Sequence, residues 1–187
     1  MKRPWLIITF LLILYEILFL PVFINTADHY AVIARGDEVI RVFDRAGVFS
    51  KFPGPGKRVI LYDKGIYDYT AEPSEIITRD QRSVTLVYTI RWRITDAAGF
   101  YRSNEKIERA EERIDDIVYF ELRQRLVMYD YSALDEQSYK NIMQELAAIC
   151  SRKTADFAVF ILEIDILASD LTPEGEQLKN LRHLPYL

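Results

Sequence analysis

Cys150, His29 and His183 are the residues in this chain best suited to nucleophilic or general-base chemistry. Such chemistry needs a base within hydrogen-bond reach of its nucleophile. His29 and His183 sit near the two ends of the non-membrane part of the sequence, so a catalytic pair would require those ends to meet, and surface or packing roles are expected for both. Cys150 follows Ile149 on the apolar side of a helical pattern, the setting of a buried core thiol rather than a reactive one. One Cys and two distant His give neither a disulfide nor zinc-ligand spacing. The acid pairs Glu111-Glu112 and Asp115-Asp116 are adjacent, so on a helix their side chains splay apart instead of converging on one substrate, and they are read as solvated charges. No Gly-rich phosphate loop and no nucleophile elbow is found. The expectation is therefore no catalytic, cofactor or metal residues, and a protein that is not an enzyme.

The elements that would carry these residues begin with a separate segment. Of the 20 positions from Trp5 to Ile24, 15 are Leu, Ile, Val or Phe. That is the length a helix needs to cross about 30 Å of hydrocarbon. Glu16 interrupts the run at a cost of about 2.5 to 3.5 kcal/mol, against roughly 4.5 to 9 kcal/mol returned by the apolar residues. Insertion wins, and residues 1–26 are expected to be an uncleaved anchor. Lys2 and Arg3 precede the span and Arg35 is the first cation beyond it, which leaves the N-terminus in the cytoplasm and the main domain outside it. In a bacterium that is the periplasmic side of the inner membrane. Glu16 is a candidate intramembrane contact with a partner helix.

The remainder reads as strands, then helices, then a strand. Short β-type runs at 30–34 and 38–43 flank Gly36-Asp37, a hairpin signal. Pro53-Gly54-Pro55-Gly56 breaks the chain before further strand-sized runs at 57–62, 66–71 and 74–78. From 83 to 95, Val84, Leu86, Tyr88, Ile90, Trp92 and Ile94 share one face, with Ser83, Thr85, Thr89, Arg91 and Arg93 on the other. This is a half-buried antiparallel strand with one wet side. After Asp96 the period becomes helical. Ile107, Ala110, Ile114, Leu122 and Leu126 face inward on a helix over roughly 104–129, and a second helix follows Ser132 or Asp135. A strand at 158–168 carries Phe160, Leu162, Ile164 and Ile166 on one side, and Thr172-Pro173-Glu174 opens a short helix in a 173–187 tail. The order predicts an α+β domain over 27–172, a mainly antiparallel sheet with helices on one face. The excess of 28 acids over 24 cations and a pI near 5.3 leave no global basic field, so no nucleic-acid partner is expected.

Several stretches resemble the SPFH, or band-7, family of stomatins, prohibitins, flotillins and the bacterial HflK and HflC pair. They are Gly-Asp-Glu-Val-Ile-Arg-Val-Phe at 36–43, Pro55-Gly56, the Ile-Ile-Thr-Arg-Asp-Gln-Arg-Ser-Val-Thr-Leu run at 76–86, and residues 164–173. Tyr88 to Asp96 followed by Phe100-Tyr101, and 111–130 with Phe120-Glu121-Leu122-Arg123, are similar to HflC in particular. The resemblance implies a membrane scaffold that contacts lipid and itself or an HflK-like paralogue, and that modulates an FtsH-type protease or organises a membrane microdomain. The family's long coiled-coil segment has no counterpart in sustained heptads here, so assembly is expected to rest on the globular domain and the anchor. Arg91 and Arg93 on the wet strand face, and Glu108, Glu112, Asp115 and Asp116 on the helix, are the candidate subunit interface. The competing reading is an anchored ligand- or lipid-binding module with a pocket between helices and sheet.

Overall fold

A computed structural model describes residues 9–12, 22–50, 56–134 and 136–169. The chain divides into two compact units, residues 1–64 and 65–187, and the expected 27–172 domain spans parts of both.

The first unit is built from strands. A ribbon pairs β1 (Val22–Asn25) with β4 (Gly47–Ser50), and a three-stranded sheet has the order β3 (Glu38–Phe43), β2 (His29–Arg35), β5 (Lys57–Asp63). All pairings are antiparallel. The Gly36-Asp37 hairpin forms as expected: Arg35 pairs Glu38 across a two-residue loop, and Gly36 takes φ +57°, which a residue without Cβ adopts freely. Two side chains of this unit, Asn25 and Lys64, tie segments distant in sequence through backbone carbonyls. Asn25, buried, donates from Nδ2 to the carbonyls of His29 (3.2 Å) and Arg45 (2.9 Å). Lys64 donates from Nζ to the carbonyls of Ala27 (2.8 Å) and Asp44 and lies over the Tyr30 ring.

Residues 22–24, expected at the end of the membrane span, are instead strand. Pro21, which lacks an amide donor, and the β-branched Val22 punctuate the apolar run there, and the pairing of β1 with β4 supplies the backbone bonds a helix would otherwise make. The rest of the expected span, Glu16 included, lies outside the described residues apart from 9–12. Those four residues are helical, with Phe10, Leu11 and Leu12 exposed. Among the described residues no helix is long and apolar enough to cross a membrane. The expected tail helix near Pro173 also lies outside the described residues.

The second unit is an antiparallel sheet with helices on one face, the expected α+β arrangement. Its axis is β8 (Ser83–Ile94), flanked along one edge by β6 (Tyr67–Thr70) and then β7 (Ser74–Ile77), and along the other by β9 (Val159–Ser169). Pro73 cannot donate to a ladder, and it falls where one edge strand is broken into β6 and β7. The even-numbered face of β8 is buried throughout, from Val84 to Ile94, whereas the other face, expected to be wet, is exposed at Arg91 and Arg93 but buried at Thr85 and Val87. Against the sheet lie α1 (Ala97–Ser103), α2 (Ile107–Leu126) and α3 (Glu136–Thr154), with α3 packed along β9 and beside α2. The expected helix over 104–129 is thus preceded by a separate seven-residue helix. Asp96 caps it, its carboxylate accepting from the amides of Ala98 (3.1 Å) and Gly99 (2.9 Å).

The last strand departs from simple alternation. Register shifts in its pairing with β8 place an extra residue at Leu162, so Ile161 and Ile164 are buried while Phe160 and Leu162 stay 43% and 39% exposed. A one-residue bulge moves side chains to the opposite face, which is why Phe160 and Leu162 do not join Ile164 in the core.

Candidate functional site

The wet face of the second unit's sheet is set by register. Asp68, Arg91 and Glu163 are cross-strand partners on β6, β8 and β9. The Arg91 guanidinium donates to Glu163 Oε2 at 2.9 Å and lies 3.6 Å from Asp68 Oδ1. Its charge is therefore balanced within the sheet, an arrangement of exposed ions that contributes little to stability. Arg93 lies over the Phe160 ring, 5.5 Å from its centre. What had the pattern of a basic strand face is a row of acid, Arg and acid beside an Arg–aromatic pair. Near this row, burial and then the neighbouring Glu163 raise the Asp165 carboxyl above the ordinary range.

The acids of α2 separate into two rows. Glu108, Glu112 and Asp116, four apart, are exposed on the outer side, where like charges at that spacing repel. Asp115 belongs elsewhere. It is half-buried against the sheet, with Oδ1 accepting the Tyr88 hydroxyl at 2.9 Å, and burial raises its carboxyl. The expectation of a solvated charge fails at this position because the helix turns Asp115 one residue's rotation, about 100°, away from Asp116 and toward β8. Glu111, one turn earlier on the same side, is raised by burial and then by Glu108. Burial, then Asp115 and Glu111, raise the Tyr69 phenol, and burial and Asp115 raise that of Tyr88 further.

The other candidates scatter. Cys150 is buried on α3, and burial followed by the Glu121 charge pushes its thiol up to about 12, so it is protonated at neutral pH. His29 belongs to the first unit, its Nδ1 2.7 Å from the Thr26 hydroxyl. His183 and Glu16 lie outside the described residues.

Three polar clusters escaped the sequence reading. Glu121, nearly buried on α2, is paired with Lys153 from the last turn of α3, whose ammonium lies over the Phe120 ring. The signal was an acid at a core-facing position one residue before Leu122. Asp116, Ile117, Phe120 and Lys153 line a shallow groove of about 280 Å³ beside this pair. Arg113 donates to the Ser103 carbonyl and to Asn104 Oδ1 (2.8 Å) and stacks over Phe157 at 4.1 Å, locking α1 and α2 to the turn before β9. Asp130 receives a forked pair of bonds from Arg79, and the Arg79 amide reaches the Tyr129 carbonyl at 2.9 Å, stapling the β7–β8 turn to the end of α2. Such long-range partners leave no periodic trace in a sequence.

An antiparallel sheet carrying helices on one face is the α+β arrangement that the element order predicted. The chain belongs to the SPFH domain / Band 7 family, which it matches over residues 24–179. Among individual proteins it is similar to Protein HflC of Treponema pallidum (strain Nichols), with 28% identity over 102 residues. The aligned region covers 54% of this chain and 30% of that protein, so the chain spans under a third of the curated relative it matches.

Proposed function

We propose that this chain is a membrane-associated scaffold subunit that packs beside copies of itself or an HflK-like paralogue, and modulates an FtsH-type protease or organises a membrane microdomain. The observation that carries this reading is the family match across 24–179, which runs through both units. The apolar run from Trp5, with Phe10, Leu11 and Leu12 exposed on a helical segment, supports attachment to lipid, with the N-terminus cytoplasmic and the main units on the other side. Held in two dimensions, weak lateral contacts add by avidity.

The outer row Glu108, Glu112 and Asp116 offers one contact face. On the sheet, Arg93 with exposed Phe160 and Leu162 offers another, where Arg91 is already engaged by Asp68 and Glu163. Two different faces suit head-to-tail contacts. Glu16 is the proposed intramembrane contact, and Glu16→Leu should release a partner that binds through the span. The rival, an anchored ligand- or lipid-binding module, would use the groove at Ile117 and Phe120, but that groove is shallow and open to solvent, which favours the scaffold.

Affinity capture of the full chain from detergent-solubilised membranes, read by mass spectrometry, tests the proposal. A co-purifying paralogue or membrane protease is expected. Recovery of the bait alone, carrying a bound small molecule, would favour the module instead.

A further inference from the structure

The contact between α2 and β8 contains a carboxylate for which, among the described residues, no cation is paired. Asp115 accepts the Tyr88 hydroxyl from β8 at 2.9 Å. The titratable groups acting on this cluster are Tyr69 from β6, Glu72 from the β6–β7 link, and Glu111, Glu112, Asp116 and Tyr119 from α2 itself. Every one is an acid or a phenol. Arg113, on the same helix, is turned away to Ser103, Asn104 and Phe157, and Arg91 is engaged by Asp68 and Glu163. We infer that the α2–β8 seam is a proton-operated latch, in which ionised Asp115 holds the helix loosely on the sheet and uptake of a proton on acidification tightens it.

Burial is the main reason Asp115 holds a proton more tightly in the folded state; the Tyr88 bond opposes it, and Asp116 and Glu72 reinforce it. Once protonated, the carboxyl still accepts from Tyr88 and gains a donor of its own. The sign follows from linkage. The native state binds the proton more tightly than the unfolded chain, so the stabilisation is complete below the ordinary carboxylate range and is lost as pH rises through the raised native value. Glu111 acts in the same direction. Asp80 and Asp130 are shifted the other way, Asp80 by the Thr78 hydroxyl and Asp130 by Arg79, so what they contribute is lost only at pH below the ordinary carboxylate range. Asp115 and Glu111 therefore take up their protons above the ordinary carboxylate range. Asp165 is also raised, but it reports on β9 rather than α2.

The test is amide hydrogen exchange of the full chain in detergent at pH 7.5, 6.5 and 5.5, corrected for the intrinsic exchange rate and read over residues 107–126. Opening of this segment should become rarer at each step down in pH, by at most about tenfold per pH unit while Asp115 takes up its one proton. Asp115→Asn should be strongly protected already at pH 7.5 and lose most of the slope. Tyr88→Phe removes the bond that favours the ionised form and should steepen the slope, while Asp165→Asn should leave it unchanged. Protection of 107–126 in the unaltered chain that is flat or falls on acidification would overturn the latch, as would an Asp115→Asn profile parallel to the unaltered one.

Discussion

The two units of this chain are stabilised differently. In residues 65–187 the described buried apolar residues form an extended core that includes Leu86, Tyr88, Ile90, Trp92, Phe100, Leu122 and Leu146. In residues 1–64 they are Ala31, Val32, Ala34 and Tyr62, and Asn25 and Lys64 add side-chain bonds to the carbonyls of Arg45 and Ala27. The contrast extends to the surface, where Ile24 and Val48, register partners across the β1–β4 ribbon, are 71% and 69% exposed. Charge divides the same way. Residues 1–64 carry nine cations and six acids, whereas residues 65–187 carry 15 cations and 22 acids. One unit is a packed acidic body, and the other is a basic one in which few of the described apolar side chains are fully buried.

Trp92→Ala is expected to have the largest effect on the second unit. Trp92 stacks between Tyr67 and Phe100, and its loss should cost about 3 to 5 kcal/mol in urea unfolding of the second unit. If the amides of His29–Arg35 lose protection together with those of β8, the units unfold as one and the contrast fails. Next, Lys153→Met leaves the Glu121 carboxylate nearly buried without its cation, an expected loss of about 1 to 3 kcal/mol in the same assay. Asp96→Ala removes both cap bonds of α1 and should cost about 1 kcal/mol, read as a lower thermal midpoint. The smallest effect belongs to the first unit. Ile24→Thr with Val48→Thr should change folding by no more than about 0.5 kcal/mol, because exposed side chains have little burial to lose. A loss well beyond that would show the ribbon to be covered.

Where local period governed the structure, the sequence was readable. Six alternate residues of β8 are buried as read, the Gly36-Asp37 hairpin forms, and α3 buries Tyr139, Ile142, Met143, Leu146 and Cys150 in a helical stripe. Reading failed where a non-local partner decided. The β1–β4 ribbon depends on residues more than twenty positions apart, and its first strand was hidden inside an apolar run that also fits a membrane helix. The bulge at Leu162 is fixed by pairing with β8, so alternation alone put Phe160 and Leu162 on the wrong side. In the candidate site, Glu108, Glu112 and Asp116 were correctly placed in solvent, but Asp115 was not, because its place depends on Tyr88 from a distant strand. Arg91 was legible as a wet-face residue, whereas its neutralisation by Asp68 and Glu163 required the strand order.

Sedimentation of the full chain extracted in mild detergent most directly tests whether it is a subunit of a lateral assembly. A particle several times the 21.9 kDa chain mass is expected after correction for bound detergent, and it should shrink when Arg91 and Arg93 are both changed to Glu. A monomer, or a multimer whose profile the double reversal leaves unaltered, would contradict the proposed contacts.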